Sequence, residues 1–338
     1  MILNPFETDA FSMVSLTQSI NILPNMYGRC GELNLFPPKG IPSRTVLIEE
    51  QNGVLNLLPS KPLGSPGTMG SAPKRKVRSF QVPHIPHDDT ILPEDYAGVR
   101  AFGSENQLQT LSVIVNERLQ QMKNKHDITL EYLRMGALKG LIIDGDGSTV
   151  LYNLFTEFGI KQKTVDFLLG TDTTDVRGKC MEVLRHIEDN LMGETMTGVR
   201  AFVSGEFFDN LTSHPTVTAA YANYALAQNM LGGDIRKGFS FGGILWEEYR
   251  GQASDASGTT HRFVPAGEAI AFPEGTQNTF QTIFAPADFL ETVNTIGMPY
   301  YAKMKTRDYE RGVDLHTQSN PLPMCARPAL LVRIKTSN

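Results

Sequence analysis

SENQLQTLSVIVNERLQQMKNKHDITLEYLRMGALK, running from Ser104 to Lys139, is the stretch that decides the architecture. Leu108, Leu111, Val115, Leu119 and Met122 recur at steps of three and four, which places them in one apolar stripe along a helix. Ser104 stands where an N-cap belongs. Beyond a polar patch from Lys123 to Asp127, the residues Ile128, Leu130, Leu133, Met135 and Leu138 continue the apolar content. The spacing predicts a single helix over 104–139, about 50 Å long. Globular helices average about 11–12 residues, so this one acts as a beam for the elements around it.

Outward from the helix, strands and helices are mixed without regular alternation. Leu141 to Tyr152, with Gly145-Asp146-Gly147 at its centre, predicts a β-hairpin. On the N-terminal side, residues 44–58 are β-prone and contain Asn52-Gly53, a tight-turn signature. Residues 59–73 collect prolines and glycines, and Lys74, Arg75, Lys76 and Arg78 form a basic cluster before the β-prone stretch Ser79 to Ile85. Together they predict two extended strands carrying a long tip. Residues 1–40 hold short apolar pieces that form no core alone; they read equally as an arm laid on a neighbouring molecule or as a segment packed on its own domain. Downstream, 176–192 has an amphipathic helical pattern with Met181, Leu184, His186, Ile187 and Leu191 to one side, Val199 to Val203 reads as a strand, and Glu206 to Ser213 and Pro215 to Met230 read as helical. Gly243 to Arg250 and Arg262 to Val264 are expected to pair as strands. Phe280 to Ala285 and Leu330 to Ile334 are further strands. The pattern is α+β.

Composition removes several function classes. In 338 residues, 41% are hydrophobic and 20% charged, enough to bury a core, and the formal net charge is −5, without the basic excess of a dedicated nucleic-acid binder. Cys30, Cys180 and Cys325 are three, widely spaced and without a C-x-x-C pair, which argues against a thiolate zinc site or a disulfide framework. The N-terminal residues lack a charged n-region and an apolar h-region, and no apolar run reaches the length of a membrane span. A soluble protein made inside a cell is expected, with no cofactor.

Three motifs suggest chemistry. Gly238-Phe239-Ser240-Phe241-Gly242 matches the G-x-S-x-G nucleophile elbow, with Asp255 and His261 following in triad order, so a serine hydrolase is the enzymatic alternative. That motif needs a strand before the serine and a helix after it. Here a strand-like segment follows, and a glycine-rich turn is the better reading. Asp144-Gly145-Asp146-Gly147-Ser148 resembles the start of a calcium loop. It has Thr149 where the loop's glycine belongs and Phe155 where its bidentate glutamate belongs, which favours a plain hairpin turn. His84, His87, Asp88 and Asp89 could hold a metal but read better as a proline-bounded connector with solvated side chains.

The C-terminal third carries more specific wording. Gly243-Ile-Leu-Trp246-Glu-Glu-Tyr249-Arg-Gly251 is followed by Arg262-Phe-Val-Pro-Ala-Gly-Glu268-Ala-Ile-Ala-Phe272-Pro-Glu-Gly275, then Phe284-Ala-Pro286-Ala-Asp288 and Ile296-Gly-Met-Pro299-Tyr300-Tyr301-Ala-Lys303. With the closing segments Asp314 to Pro321 and Arg327 to Arg333, this resembles the major capsid protein E family of tailed bacteriophages, the lambda-like shell proteins. The resemblance implies the tailed-phage capsid fold of the Hong Kong 97 type. It names an N-terminal arm at 1–40, an extended loop at 41–90, a peripheral domain at 91–154 with its spine helix at 104–139, an axial domain at 155–283 and a return to the peripheral domain at 284–338. It implies a structural, non-enzymatic head protein that self-assembles into hexamers and pentamers around double-stranded DNA held without sequence specificity, and a shell that expands on maturation. Scaffold, portal, maturation protease and decoration protein are the implied partners, without any membrane. The implied place is the virion capsid, after assembly in the host cytoplasm. An encapsulin-like compartment, which shares the fold but packages proteins, is the structural alternative. Lys61, Lys74, Arg75, Lys76 and Arg78 on the extended loop are the expected inter-subunit contacts, pairing with acidic residues of a neighbour. Some relatives cross-link a loop lysine to a neighbour's asparagine. Lys61, Lys74 and Lys76 lie in that region, but no feature singles out a reactive one, so non-covalent locking or a decoration protein is expected instead.

Overall fold

In a computed structural model, described for residues 13–22, 28–51, 75–96, 111–220, 235–255 and 257–337, the chain divides into two units. The first comprises Met1–Val46, Gln81–Arg134 and Gln281–Met324; the second comprises Leu47–Phe80, Met135–Phe280 and Cys325–Asn338. The long helix is observed over Leu111–Lys139, and its predicted first turns (104–110) lie outside the described residues. No helix among the described residues is long and apolar enough to cross a membrane.

In the first unit, the helix packs on an antiparallel sheet ordered Tyr301–Thr306, Val313–Ser319, Ile85–Ile91. The predicted stripe is the contact: Val115, Leu119 and Met122 are buried with Ile114 against Ile91, Ala302, Val313 and Leu315. Residues 85–91, read from sequence as a connector, are an edge strand, a place where Pro86 is tolerated because its missing N–H falls outside the ladder. The helix Met13–Ile22 belongs to the same core through Leu16 and Ile20, and Thr17 Oγ1 accepts the Ala302 N–H at 3.1 Å. Pro38–Gly40 runs parallel to Phe280–Phe284. Of the two readings of residues 1–40, the described part therefore follows the second: it is packed on its own unit.

The second unit is built on a six-stranded mixed sheet. Its order is Lys163–Asp166, Val332–Lys335, Glu268–Glu274, Gly198–Val203, Ile244–Glu248, Phe239–Phe241. Alternation decides its faces: Val199, Ala201 and Val203 point into a core shared with Trp246, Ala269, Ala271, Val332 and Ile334. The helix Val176–Asn190 closes that core with Val176, Cys180, Val183 and Ile187, a spacing of four, three and four, and Asp175 caps it by accepting the Gly178 N–H. The helix Gly205–Ser213 adds Phe207, Phe208 and Leu211 and is capped by Ser204.

Two sequence expectations are corrected here. Ile244–Glu248 does not pair with residues 262–264; it lies parallel to Gly198–Val203, while Gln252–Ser254 pairs with Thr260–Arg262 in a separate hairpin. The stretch 284–338 is not one return segment. It divides after Met324, because Val332–Lys335 is an inner strand of the second unit's sheet.

The long helix stops at Gly140, whose φ of 74° is the left-handed C-terminal cap that favours glycine. A Cβ at Gly140 would lie 2.1 Å from the Phe155 ring, whereas one at Gly159, at a φ of 66°, would meet nothing within 4 Å. Gly159→Ala is expected to cost only the left-handed penalty of about 1–2 kcal/mol. Gly140→Ala should lose about 1–3 kcal/mol more through steric overlap. Urea denaturation of both variants checks this, and equal losses would contradict the packing described.

Candidate assembly surfaces and their supports

The extended excursion predicted from sequence begins as a two-stranded ribbon, Thr45–Gln51 with Arg75–Gln81. Its root is fixed inside the second unit. Phe80 is fully buried, edge-on to Tyr152 at 5.3 Å and stacked with Phe158 at 6.2 Å. Arg78 Nε donates to the Glu157 carbonyl at 2.7 Å, and its guanidinium lies 4.7 Å from the Phe158 ring centroid. Glu157 and Phe158 end a short helix, so the cation sits where helix carbonyls and the macrodipole favour it. Arg78 thus holds the ribbon to its own chain. Lys61 and Lys74 lie outside the described residues, and Arg75 and Lys76 are on the ribbon strand with side chains outside the description. Leu47 and Val77 are exposed on the ribbon.

The second support is a buried polar centre in the first unit. Lys123, His126, Asp127 and Glu131 all lie on the long helix, and each is almost wholly buried. His126 Nε2 is 3.0 Å from Thr317 Oγ1, and its ring stands 6.2 Å from those of both His87 and Tyr300. The Tyr300 hydroxyl donates to Asp127, and the Lys123 ammonium lies 5.2 Å from the Tyr300 ring centroid. Glu131 Oε1 accepts the Cys30 N–H at 2.9 Å. Burial pushes His126 down to about 4, reinforced by His87, His316 and Lys125. Burial raises Asp127 against the opposing pull of the Tyr300 hydrogen bond and of Lys123, and lowers Lys123. Sequence periodicity marked Lys123 to Asp127 only as a polar interruption. The available signal was the apolar residues on both sides, which left that turn no other face to expose.

In the second unit Arg200 occupies the sheet face opposite the helices. It bridges Glu247, in a short contact, and Glu274, whose Oε1 lies 2.5 Å from Nε. Arg327 is set between the Leu191 carbonyl and Glu194, and Glu194 also accepts from the Asn278 N–H at 2.7 Å and the Thr279 hydroxyl at 2.8 Å. Glu247, Glu274 and Arg327, which fall within the stretches that carry the family wording, are therefore structural ties.

The enzymatic motifs dissolve in this geometry. Ser240 lies on a strand paired with Leu245, and Gly242 and Gly243, at φ of 63° and 81°, form the two-residue turn of a hairpin, not a strand-to-helix elbow. His261 Nε2 meets Asp255 Oδ2 at 2.9 Å, while Asp255 Oδ1 accepts the Ser257 and Thr259 N–H groups of its own turn. Asp146, in the calcium-like stretch, accepts the Ser148 and Thr149 N–H groups and the Thr149 hydroxyl, which hold its carboxyl well below the usual range. His84 Nδ1 lies 2.8 Å from Asn320 Oδ1, His87 Nε2 is 3.1 Å from Lys125 Nζ, and Asp88 meets His316. These are contacts within one sheet and its neighbours.

The sequence matches the family described as phage major capsid protein E over residues 12–336. The chain belongs to that family. It is 33% identical over 346 aligned positions to the major capsid protein of Pseudomonas phage KPP10, with 97% of each chain covered. It is 30% identical to the major capsid protein of Salmonella phage Felix O1, again with 97% of each covered. A crystal structure described as the capsid protein of an E. coli CFT073 prophage superposes with a TM-score of 0.52 at 17% identity, covering 80% of this chain and 82% of that one, a likeness of fold. As a member of the phage major capsid protein E family, with the α+β fold of phage capsid proteins, the protein is a structural component of the phage head and not an enzyme. The hydrolase and encapsulin-like readings are not favoured.

His126 is neutral in the folded protein down to about pH 4, while an unfolded imidazole takes its proton near 6.5. Between those values the unfolded chain binds more protons, so stability falls as pH drops through that window and the group contributes no slope above it. The full effect is on the order of 3 kcal/mol. In denaturation curves measured from pH 7.5 to 4, His126→Gln should flatten this slope, and an unchanged slope would contradict the assignment. Ser240→Ala should leave melting temperature and particle formation unaltered, and loss of a hydrolytic activity in that variant would revive the enzyme reading.

Proposed function

We propose that this chain tiles an icosahedral head as hexamers and pentamers around double-stranded DNA, and that the shell expands on maturation. The first unit acts as the peripheral domain and the second as the axial domain, with the helix Leu111–Lys139 as the spine. Scaffold, portal, maturation protease and decoration protein act with it during assembly in the host cytoplasm. The observation that carries the reading is the rooted ribbon. Phe80 and Arg78 anchor its base to the parent subunit, and the sequence segment 52–74 between its two strands is the part assigned to a neighbour. Lys61, Lys74, Arg75 and Lys76 then supply charge for that contact, matched by acidic residues of the adjacent long helix. Charge at a rim sets register and encounter rate more than affinity, and many weak copies add by multivalency. DNA is held without base readout, since a net charge of −5 gives the wall little phosphate affinity.

The test expresses the full chain alone and with a scaffold, and reads size-exclusion light scattering and negative-stain images. Closed particles of uniform diameter are expected. Lys74→Glu with Lys76→Glu should leave the subunit folded but lower particle yield, with partial recovery at high salt if repulsion is the cause. A monomer or dimer under every condition would contradict the proposal.

A further inference from the structure

The segment Phe289–Met298 in the first unit is not used by any contact described above. Leu290 is 93% exposed, Val293 60%, Ile296 69% and Met298 40%. Scattered apolar residues on a surface mean little, but four within nine residues form a patch. The segment is also held rigid. The Thr292 N–H bonds to the Phe289 carbonyl at 3.0 Å, and the Thr295 N–H bonds to the Thr292 carbonyl at 3.2 Å. Between the latter pair, Val293 at φ −61°, ψ 129° and Asn294 at φ 61° make a type II turn that presents Val293 at its tip. Thr292 is buried, its hydroxyl bonded to the Ala287 carbonyl at 2.8 Å. At the far end the Gly297 N–H bonds to the Ile41 carbonyl at 3.0 Å, and a Cβ on Gly297 would lie 2.1 Å from the Phe284 carbonyl oxygen. The backbone is pinned at both ends while its apolar side chains face outward. That is a preorganised binding knuckle, since its ordering entropy is already spent in folding.

We infer that this knuckle is a contact surface for a second copy of the same chain, an inference that rests on the shell-subunit reading. Size argues for that occupant. A patch of a few hundred Å² falls well below the about 1,200–2,000 Å² of a stable pair. It would leave a free subunit unpaired, yet it adds up where every copy repeats it. Charge agrees: Glu291 on the knuckle is neutralised by Lys303 at 3.1 Å, so identical surfaces can approach without net repulsion.

The three native cysteines are all buried. Val293→Cys therefore gives a single accessible thiol for labelling and cross-linking in the full chain. In wild-type-like particles of this variant, maleimide labelling should slow at least about tenfold relative to dissociated subunits, and a short thiol-to-amine cross-linker should join two copies of the chain. Leu290→Ser with Val293→Ser should keep the melting temperature and lower the yield of closed particles by about tenfold. Equal labelling in particles and free subunits, wild-type yield from the double variant, or cross-links confined to one chain or to a different protein would each overturn the inference. If the wild-type chain forms no particles at all, the shell reading itself fails; if it forms them and the knuckle stays open, only the inference fails.

Discussion

The pairing of buried polar groups on the long helix is the constraint on which the first unit depends. Leu111–Lys139 is apolar on one side in its first half and buried nearly all round from Leu130 to Leu138. Lys123, His126, Asp127 and Glu131 lie at or just before that transition, where an unpaired charge would cost several kcal/mol. Each has a partner: one Asp127 oxygen has the Tyr300 hydroxyl, His126 has Thr317, Lys123 the Tyr300 ring and one Glu131 oxygen the Cys30 amide, while Asp127 Oδ2 and Glu131 Oε2 are buried without a hydrogen bond among the described residues. The partners come from the sheet and from the N-terminal segment, so the centre fixes both the rotation of the helix and its height on the sheet. Apolar contacts alone would tolerate a slip of one turn; this centre would not. A subunit that must be the same in every position of a shell needs that uniqueness.

Much of the architecture was legible because it rests on periodicity. The stripe Val115, Leu119, Met122 gave the beam. For 176–192 the helix was legible but its face was not: Met181, Leu184, His186, Ile187 and Leu191 read as one side, whereas Val176, Cys180, Val183 and Ile187 are the buried set and Met181 is exposed. The Gly145-Asp146-Gly147 turn placed the hairpin after the spine. Strand partners were not legible, because pairing is set by distant residues. Nothing near Ile244–Glu248 signals that Gly198–Val203 lies beside it. The C-terminal strand Val332–Lys335 joins a sheet assembled from residues 163 to 274 for the same reason. The ribbon's root was half legible: Arg78 stood out as a charge, but its service to the Glu157 carbonyl required the fold. The knuckle at 289–298 left no periodic mark, since three-residue spacing over so short a run carries no signal.

The molecule separates two kinds of interaction by strength. Inside each unit, charges are paired at hydrogen-bond distance and aromatic rings are interlocked, as Trp246 is between Phe167 and Phe207. On the outside, the ribbon exposes Leu47 and Val77 and the knuckle exposes Leu290, Val293, Ile296 and Met298, small surfaces that the proposals above assign to contacts between subunits. A closed shell needs that division. Strong pairwise contacts would trap misplaced subunits, whereas weak repeated ones allow correction during growth and become collectively tight on closure. Phe80 and Arg78 hold the ribbon's base to the second unit, and Gly297 holds one end of the knuckle within the first.

The most direct test of the central claim is electron cryo-microscopy of particles formed by the full chain, at a resolution that traces the backbone of residues 45–81. The account predicts rings of five and six subunits in which each ribbon leaves its own root at Phe80 and crosses onto the adjacent subunit. Particles in which the ribbon folds back wholly onto its parent chain, or assemblies without five- and six-membered rings, would contradict it.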